Sequence, residues 1–458
     1  MKLHALIPLA AALVLAGCAN IAVPEPHPMP AVPAAFKGPQ TESPAAVSRA
    51  QWWKAFADPQ LDALTEQALE HNTSIQQAGA RLAEARALLR NADAARLPQL
   101  GVSAATGRQG GDYYRSQALA GTLHQLRLDA SYEVDLVGRL SGASNAAALD
   151  AQAREALLQS TRLLVQSDVA QSYFELRALD AERALMNETV VAYQGTLKLT
   201  ERRYAAGDIA ELDLARLRTE VATTQSQSLE LDRRRAVLEH VLALLVGDFP
   251  SGLSVAEGRW SETLPSVPAG VPSQMLERRP DVAAAQASLK AAQARLGVAQ
   301  KAWFPTLSLT AAGGGASPEL SDLFKSSAGL WGINALLNLP LFDGGRREAG
   351  VQGAAAQLDG AAAAYREQVL GAFKEVEDQL SSLRLLDEQA KVQAQAVASA
   401  ERALALSDSR YRNGLVSQLE LLDARRSELA LRRQALQVRS AQYQSTIALI
   451  KALGGGWA

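Results

Sequence analysis

The chain predicts a mainly α-helical fold with a small β portion, built as a tandem duplication whose strands close into a barrel only when several copies combine. Three observations carry this. First, residues recur at a constant offset of 207: Pro98 and Pro305, Gly138-Arg139 and Gly345-Arg346, Leu176 and Leu383, Arg203-Tyr204 and Arg410-Tyr411, Gly207 and Gly414, Leu212 and Leu419, Gly247 and Gly454. A repeat this long is a duplicated substructure, not a solenoid unit. Second, no proline occurs between Pro98 and Pro250 or after Pro340, and both stretches are rich in the strong helix formers Ala, Leu, Arg, Gln and Glu. Third, the apolar period switches to two in two short segments of each copy, which is the signature of half-buried strands.

The N-terminal end reads as an export segment. Lys2 precedes an apolar run, Leu3 to Ala16, too short to span a bilayer as a permanent helix. The run ends in Leu15-Ala16-Gly17-Cys18, which resembles the bacterial lipobox, so residues 1–17 are expected to be a lipoprotein signal peptide. Cys18 is the only cysteine in the chain and has no partner for an internal disulfide. Covalent lipid on Cys18, an S-diacylglycerol with an N-acyl chain, supplies the several acyl chains that stable anchoring needs. The lipobox resemblance also implies sorting to the outer membrane, because Ala19 rather than Asp follows the cysteine. Residues 18–50 follow as a lipidated tether crowded by Pro24, Pro26, Pro28, Pro30, Pro33, Pro39 and Pro44.

Residues 51–250 form the first repeat and 251–458 the second. In the first, helices are predicted over about 58–96, 140–203 and 212–246. The middle one, 64 residues at ~1.5 Å each, is a rod of roughly 95 Å. Leu214, Leu217, Val221, Leu231, Leu238, Leu242 and Leu245 recur at threes, fours and sevens, a coiled-coil-like stripe. Strands are predicted where Leu100, Val102 and Ala104, then Leu126, Leu128, Ala130 and Tyr132, alternate with polar or small residues. Leu307, Leu309 and Ala311, then Trp331, Ile333, Ala335, Leu337 and Leu339, repeat the pattern in the second copy. Loops over about 107–120 and 314–328 join them into hairpins at about 98–135 and 305–341.

Apolar-out segments of about ten residues suit an outer-membrane barrel. Four strands cannot close one, and an open edge in lipid leaves backbone groups unsatisfied. Three copies supply twelve strands with room for a lumen, so the geometry favours a homotrimer: a twelve-stranded barrel continued by a long α-helical barrel. The glycine runs 313–315 and 454–456 are expected to be loop and tail, and Pro280-Asp281 a helix start.

Four signatures besides the lipobox resemble the outer membrane factors of Gram-negative tripartite export systems, in the lipoprotein branch of the OprM and NodT type. The first is Trp52-Trp53 with Phe56, Asp58-Pro59, Leu61, Leu64, Ala68-Leu69 and Asn72; the second is Arg278-Arg279-Pro280-Asp281-Val282. The third joins Pro98 and Pro305 to Asp135-Leu136-Val137-Gly138-Arg139 and Pro340-Leu341-Phe342-Asp343-Gly344-Gly345-Arg346. The fourth is the pair of helix-tip motifs, Arg203-Tyr204-Ala205-Ala206-Gly207 and Arg410-Tyr411-Arg412-Asn413-Gly414. The resemblance covers essentially all of the chain after the signal. It implies a lipid-anchored channel in the bacterial outer membrane that extends into the periplasm. Its partners would be a periplasmic adaptor (membrane fusion) protein, an inner-membrane pump reached through the adaptor, and outer-membrane lipid.

The same resemblance supplies candidate site residues. Leu419 and Asp423 fall where family members carry a leucine ring and an acidic ring at the periplasmic mouth, and Glu420 where some carry another acid. Asp213 and Tyr411 fall where the family forms a latch hydrogen bond. Val416 stands where one branch has an arginine latch partner.

The remaining classes are disfavoured by content. A formal net charge of −2 with both signs dispersed argues against nucleic acid as partner. The five histidines, one of them in the signal, show no metal-ligand spacing, and no serine sits in a nucleophile elbow, so no enzyme activity, metal or other cofactor is expected. An adaptor lipoprotein should have one helical hairpin where this chain has two. The cargo is not written in the sequence.

Overall fold

The structure is a computed structural model, and it describes residues 33–37, 49–112, 121–258, 260, 264–268 and 272–455. The signal peptide, Cys18, most of the tether and the loop 113–120 lie outside the described residues. The described residues divide into two compact units, each drawing on both repeats: one built from Ala80–Glu155 and Ala284–Glu367, the other from the described parts of Ala31–Gly79, Ala156–Ala283 and Gln368–Ala458.

The helices keep the duplication. A 3₁₀ segment, Arg49–Phe56, precedes α1 (Pro59–His71) and α2 (Thr73–Ala94); α3 (Arg139–Ala205) and α4 (Glu211–Val246) complete the first copy. The second copy holds α5 (Pro272–Arg278), α6 (Pro280–Lys301), α7 (Arg346–Arg412) and α8 (Gln418–Ala452). Shifted by 207, α2 falls on α6 and α3 on α7, end to end. Asp58 caps α1 by accepting from the amides of Gln60 and Leu61 at 3.0 and 3.3 Å, with Pro59 in the first turn.

The helix predicted over 58–96 is in fact two. Asn72 leaves helical geometry (φ −62°, ψ 126°) and accepts from the amides of Ser74 and Ile75 at 2.9 and 3.2 Å. Its side chain offers the backbone a local alternative to the helix, which is how asparagine ends one helix and starts the next. No helix among the described residues is long and apolar enough to cross a membrane.

In the first unit, β1 (Gln99–Gln109), β2 (Gly121–Val134), β3 (Thr306–Ser317) and β4 (Gly329–Asn338) form one antiparallel sheet in the order β1-β2-β3-β4. Directly opposed residues share a face, so the register sorts the side chains. Val102, Leu128, Gly313 and Trp331 lie in one row, and Leu100, Ala130, Ala311 and Ile333 in the next. That face is apolar throughout the middle of the sheet. The other carries Ser103, Arg127, Asp129, Ser131, Thr310 and Asn334, with Leu123, Leu330 and Leu336 as large apolar exceptions. Ser103 donates to Asp129 at 2.6 Å.

The glycine run 313–315 is not a loop, as expected, but the heart of β3. A Cβ at Gly314 would lie 2.0 Å from the carbonyl oxygen of Leu126, so the absence of a side chain lets β3 approach β2. Both hairpin loops are accordingly shorter than predicted, since strand continues to Gln109 and Ser317. Helices in this unit pack through small residues: Ala292, Leu296 and Leu358 form a buried cluster flanked by Val351, Ala354 and Ala355.

The core of the second unit is aromatic. Trp52, Trp53, Phe56, Phe174 and Tyr443 are buried, with Phe174 4.9 Å from Phe56 and 4.6 Å from Tyr443 between ring centroids. Beside it Arg177, only 2% exposed, donates to Asp180 (2.9 Å), the Ala256 carbonyl (2.7 Å), the Tyr173 hydroxyl (3.0 Å) and Gln60 (2.5 Å). Arg235 adds bonds to Asp180 and the Val255 carbonyl at 2.7 and 2.6 Å. The connection between the repeats is thereby fastened to α3 and α4. Burial, and a bond donated to the Asp58 carboxylate, push the Tyr173 hydroxyl well above its ordinary pKa. Arg279 is equally committed, to Asp281 (2.6 Å), Glu375 (2.8 Å) and the Ala452 carbonyl (2.9 Å), so the Arg278–Asp281 motif is structural. Of the run at 454–456, Gly454 is more than tail: it takes the left-handed backbone (φ 89°) just after the Leu453 cap of α8, and the Gly455 amide bonds the Ile450 carbonyl at 2.9 Å.

Candidate functional site: the paired helix tips

Each copy ends its long helix, turns, and starts a second helix within five residues. At the first tip α3 gives way at Gly207 (φ 79°), where the Asp208 amide bonds the Arg203 carbonyl at 2.9 Å and the Gly207 amide the Tyr204 carbonyl at 2.9 Å. At the second, Gly414 (φ 71°) carries the same pair of bonds, Leu415 to Arg410 at 2.9 Å and Gly414 to Tyr411 at 3.0 Å. This is the Schellman cap, and it needs the left-handed backbone that glycine adopts without strain. The Ser417 side chain then caps α8 by accepting from the Glu420 amide at 3.3 Å, whereas Ala210 opens α4 without a side-chain cap.

Leu419, Glu420, Asp423 and Asp213 lie in the first turns after these caps, and Tyr411 in the last turn of α7 before its cap. Leu419 is 41% exposed, an apolar side chain facing solvent one residue into α8, with the exposed Leu415 four residues before it. Glu420 is exposed and lies 3.8 Å from Arg410. Asp423 is exposed, 3.4 Å from Arg426. The chain on its own does not bring the latch pair together: the Asp213 carboxylate meets Arg216 at 3.9 Å, and Tyr411 makes no bond to it.

Several tip residues escaped the sequence reading. Arg426 pairs with Glu220 and so ties α8 to α4, and the Gln418 amide reaches the Asp213 carbonyl at 3.5 Å. Below them Tyr193, Leu217, Val221 and Leu422 form a buried cluster that holds both hairpins. Burial, with Glu220 nearby, pushes the Tyr193 hydroxyl above its usual pKa against the opposing pull of Arg425 and Arg426. One signal could have found part of this. Glu201–Arg218 (3.1 Å) and Asp408–Arg425 (3.5 Å) are the same ion pair at an offset of 207. Among the described residues no cluster of metal-ligating side chains occurs.

The tips, the sheet and the duplication converge on one family. The profile of the outer membrane efflux protein family matches twice, over residues 64–248 and 271–455, and these two spans are themselves 207 apart. The chain belongs to that family.

Relatives agree along most or nearly all of their length. The cation efflux system protein CusC of Escherichia coli O6:H1 is 34% identical over 99% of this chain and 98% of its own. The pyoverdine export outer membrane protein OpmQ of Pseudomonas aeruginosa is 35% identical over 89% and 87%, and the solvent efflux pump outer membrane protein SrpC of Pseudomonas putida 33% identical over 98% of each. Among solved structures, the outer membrane protein VceC of Vibrio cholerae has a TM-score of 0.84 at 31% identity, covering 90% of this chain and 100% of its own. A CusC structure gives 0.80 at 31% identity, covering 92% and 100%.

The fold class is therefore that of the family's trimeric channels, four strands per chain in a twelve-stranded outer-membrane barrel continued by an α-helical barrel. The protein is an outer-membrane efflux channel of a tripartite system and extends into the periplasm. Its family is one of transport proteins, and a pump and an adaptor are implied as partners.

Proposed function

We propose that the channel is gated at the helix tips, with Leu419 and Asp423 forming the constriction and Glu420 adding to its negative rim. The observation that carries this is the exposed Leu419 at the start of α8, immediately after a glycine cap. An apolar side chain exposed there in the single chain would be covered by its counterparts when three copies meet about an axis. Three Asp423 carboxylates close behind would attract cations and repel anions at the mouth. Tyr411 and Asp213 form the latch once the trimer closes, competing with the Arg216 contact of the single chain. A charge-assisted bond of this kind contributes about 1.5–3 kcal/mol when shielded from water.

Cys18 carries S-diacylglycerol and an N-acyl chain that hold the protein in the outer membrane; the relative SilC of Salmonella typhimurium is itself named a probable outer membrane lipoprotein. The tips receive the periplasmic adaptor, and the inner-membrane pump supplies energy and selects cargo. Relatives of nearly equal identity bear the names of cations, pyoverdine and solvents, which supports a passive conduit.

Single-channel conductance in planar bilayers tests the gate. Wild type should give small openings, and a Leu419→Ala, Asp423→Ala double variant openings several-fold larger. Large openings in both would place the constriction elsewhere.

A further inference from the structure

The constant offset allows each tip residue to be read against its counterpart in the other hairpin. Leu419 falls on Leu212 and Glu420 on Asp213, and both pairs keep their chemistry. Asp423 falls on Arg216, where the charge inverts. The two positions are structurally matched. Each lies in the second turn of a helix that opens after the same glycine cap, and each follows an exposed leucine four residues earlier, Leu212 at 58% and Leu419 at 41%. Both side chains face solvent, Arg216 42% exposed and Asp423 61%.

Their partners differ in a telling way. Asp423 sits 3.4 Å from Arg426, but Arg426 is also bound to Glu220 on the neighbouring helix and is held there. Arg216 has one acidic neighbour among the described residues, Asp213 at 3.9 Å, which is too long for a firm hydrogen bond. Its guanidinium is free to point where the mouth needs charge.

We infer that Arg216 is a second charge-selecting residue of the periplasmic mouth, three copies alternating with three of Asp423 so that the rim is a mixed ring. The inference rests on the reading of Leu419 and Asp423 as the constriction. Charges within a Debye length, ~10 Å at 0.1 M salt, act on the same permeating ion. The guanidinium ring therefore offsets part of the cation preference that the carboxylate ring creates.

The test is the K⁺/Cl⁻ permeability ratio of the full-length trimer, taken from reversal potentials across a KCl gradient. Arg216→Gln should raise the ratio about two- to fourfold, Asp423→Asn should lower it by a similar factor, and the double variant should return close to wild type. Arg216→Lys keeps the charge and should keep the wild-type ratio. All shifts should shrink near 1 M salt, where the Debye length is about 3 Å, a dependence that a purely structural role would not show. If Asp423→Asn lowers the ratio while Arg216→Gln leaves it unchanged, Arg216 lies off the path and only this inference falls. If Arg216→Lys behaves like the glutamine variant, side-chain shape matters and charge does not, and the inference falls again. If neither position moves the ratio, the tip constriction falls with it.

Discussion

A methyl group added at Gly247 would lie 2.5 Å from the carbonyl oxygen of His71, whereas at Gly207 nothing lies within 4 Å. Both glycines are left-handed, at φ 77° and 79°, and both close a Schellman cap. Ala at Gly207 thus meets backbone strain alone, about 1–2 kcal/mol. Ala at Gly247 meets the same strain and a backbone clash, and should cost at least ~1–3 kcal/mol more. Urea unfolding of the two variants measures the difference; equal losses would show that the His71 contact relaxes freely. The sequence revealed these glycines through their offset, but not their surroundings. Arg177 was invisible for the same reason: Gln60, Tyr173, Asp180 and Ala256 converge on it from separate stretches. Of the tip residues, Leu419, Asp423 and Glu420 were legible only through the family resemblance, because exposed side chains at a helix start leave no periodic trace.

At the scale of elements, proline told most of the story. Its absence over α3 let the ends of that helix be placed within two residues, at Arg139–Ala205 against a predicted 140–203. Alternation located all four strands. The misses share a cause, a local residue whose role depends on a distant neighbour. Asn72 sits among helix formers yet stops the helix, and its amide also donates to the Leu245 carbonyl at 2.8 Å. Gly313–Gly315 reads as a loop because glycine weakens isolated strands, yet β3 requires it against Leu126. Gly314→Val should therefore break the β2–β3 pairing, while Gly101→Val, with open space around it, should be tolerated. Resistance of the folded trimer to dissociation in warm SDS distinguishes the two, and equal resistance would mean the sheet shifts to admit the side chain.

For the whole molecule the sheet edges are decisive. Among the described residues of one chain β1 pairs only with β2, and β4 only with β3. The unpaired edges must find other copies in lipid, whatever holds the N-terminus. Cys18→Ala should thus lose its lipid and still assemble; light scattering in detergent should give a mass of three chains. A monomer in that variant would make the anchor part of assembly. The two copies meanwhile diverge in contacts on one skeleton: the Arg177–Asp180 pair, buried in the first, recurs 207 residues on as Arg384 and Asp387, but these are exposed and pair instead with Glu388 and Lys391.

The long helices α3 and α7 are both 67 residues. One residue added to either alone would lift its tip by about 1.5 Å and turn every later side chain by roughly 100° about the axis. Substitution of the exposed residues of these helices is therefore cheap, and insertion is not. The molecule behaves as a gauge whose two arms must be cut to equal length, and natural variation in these helices should be plentiful in residue type but rare in residue number.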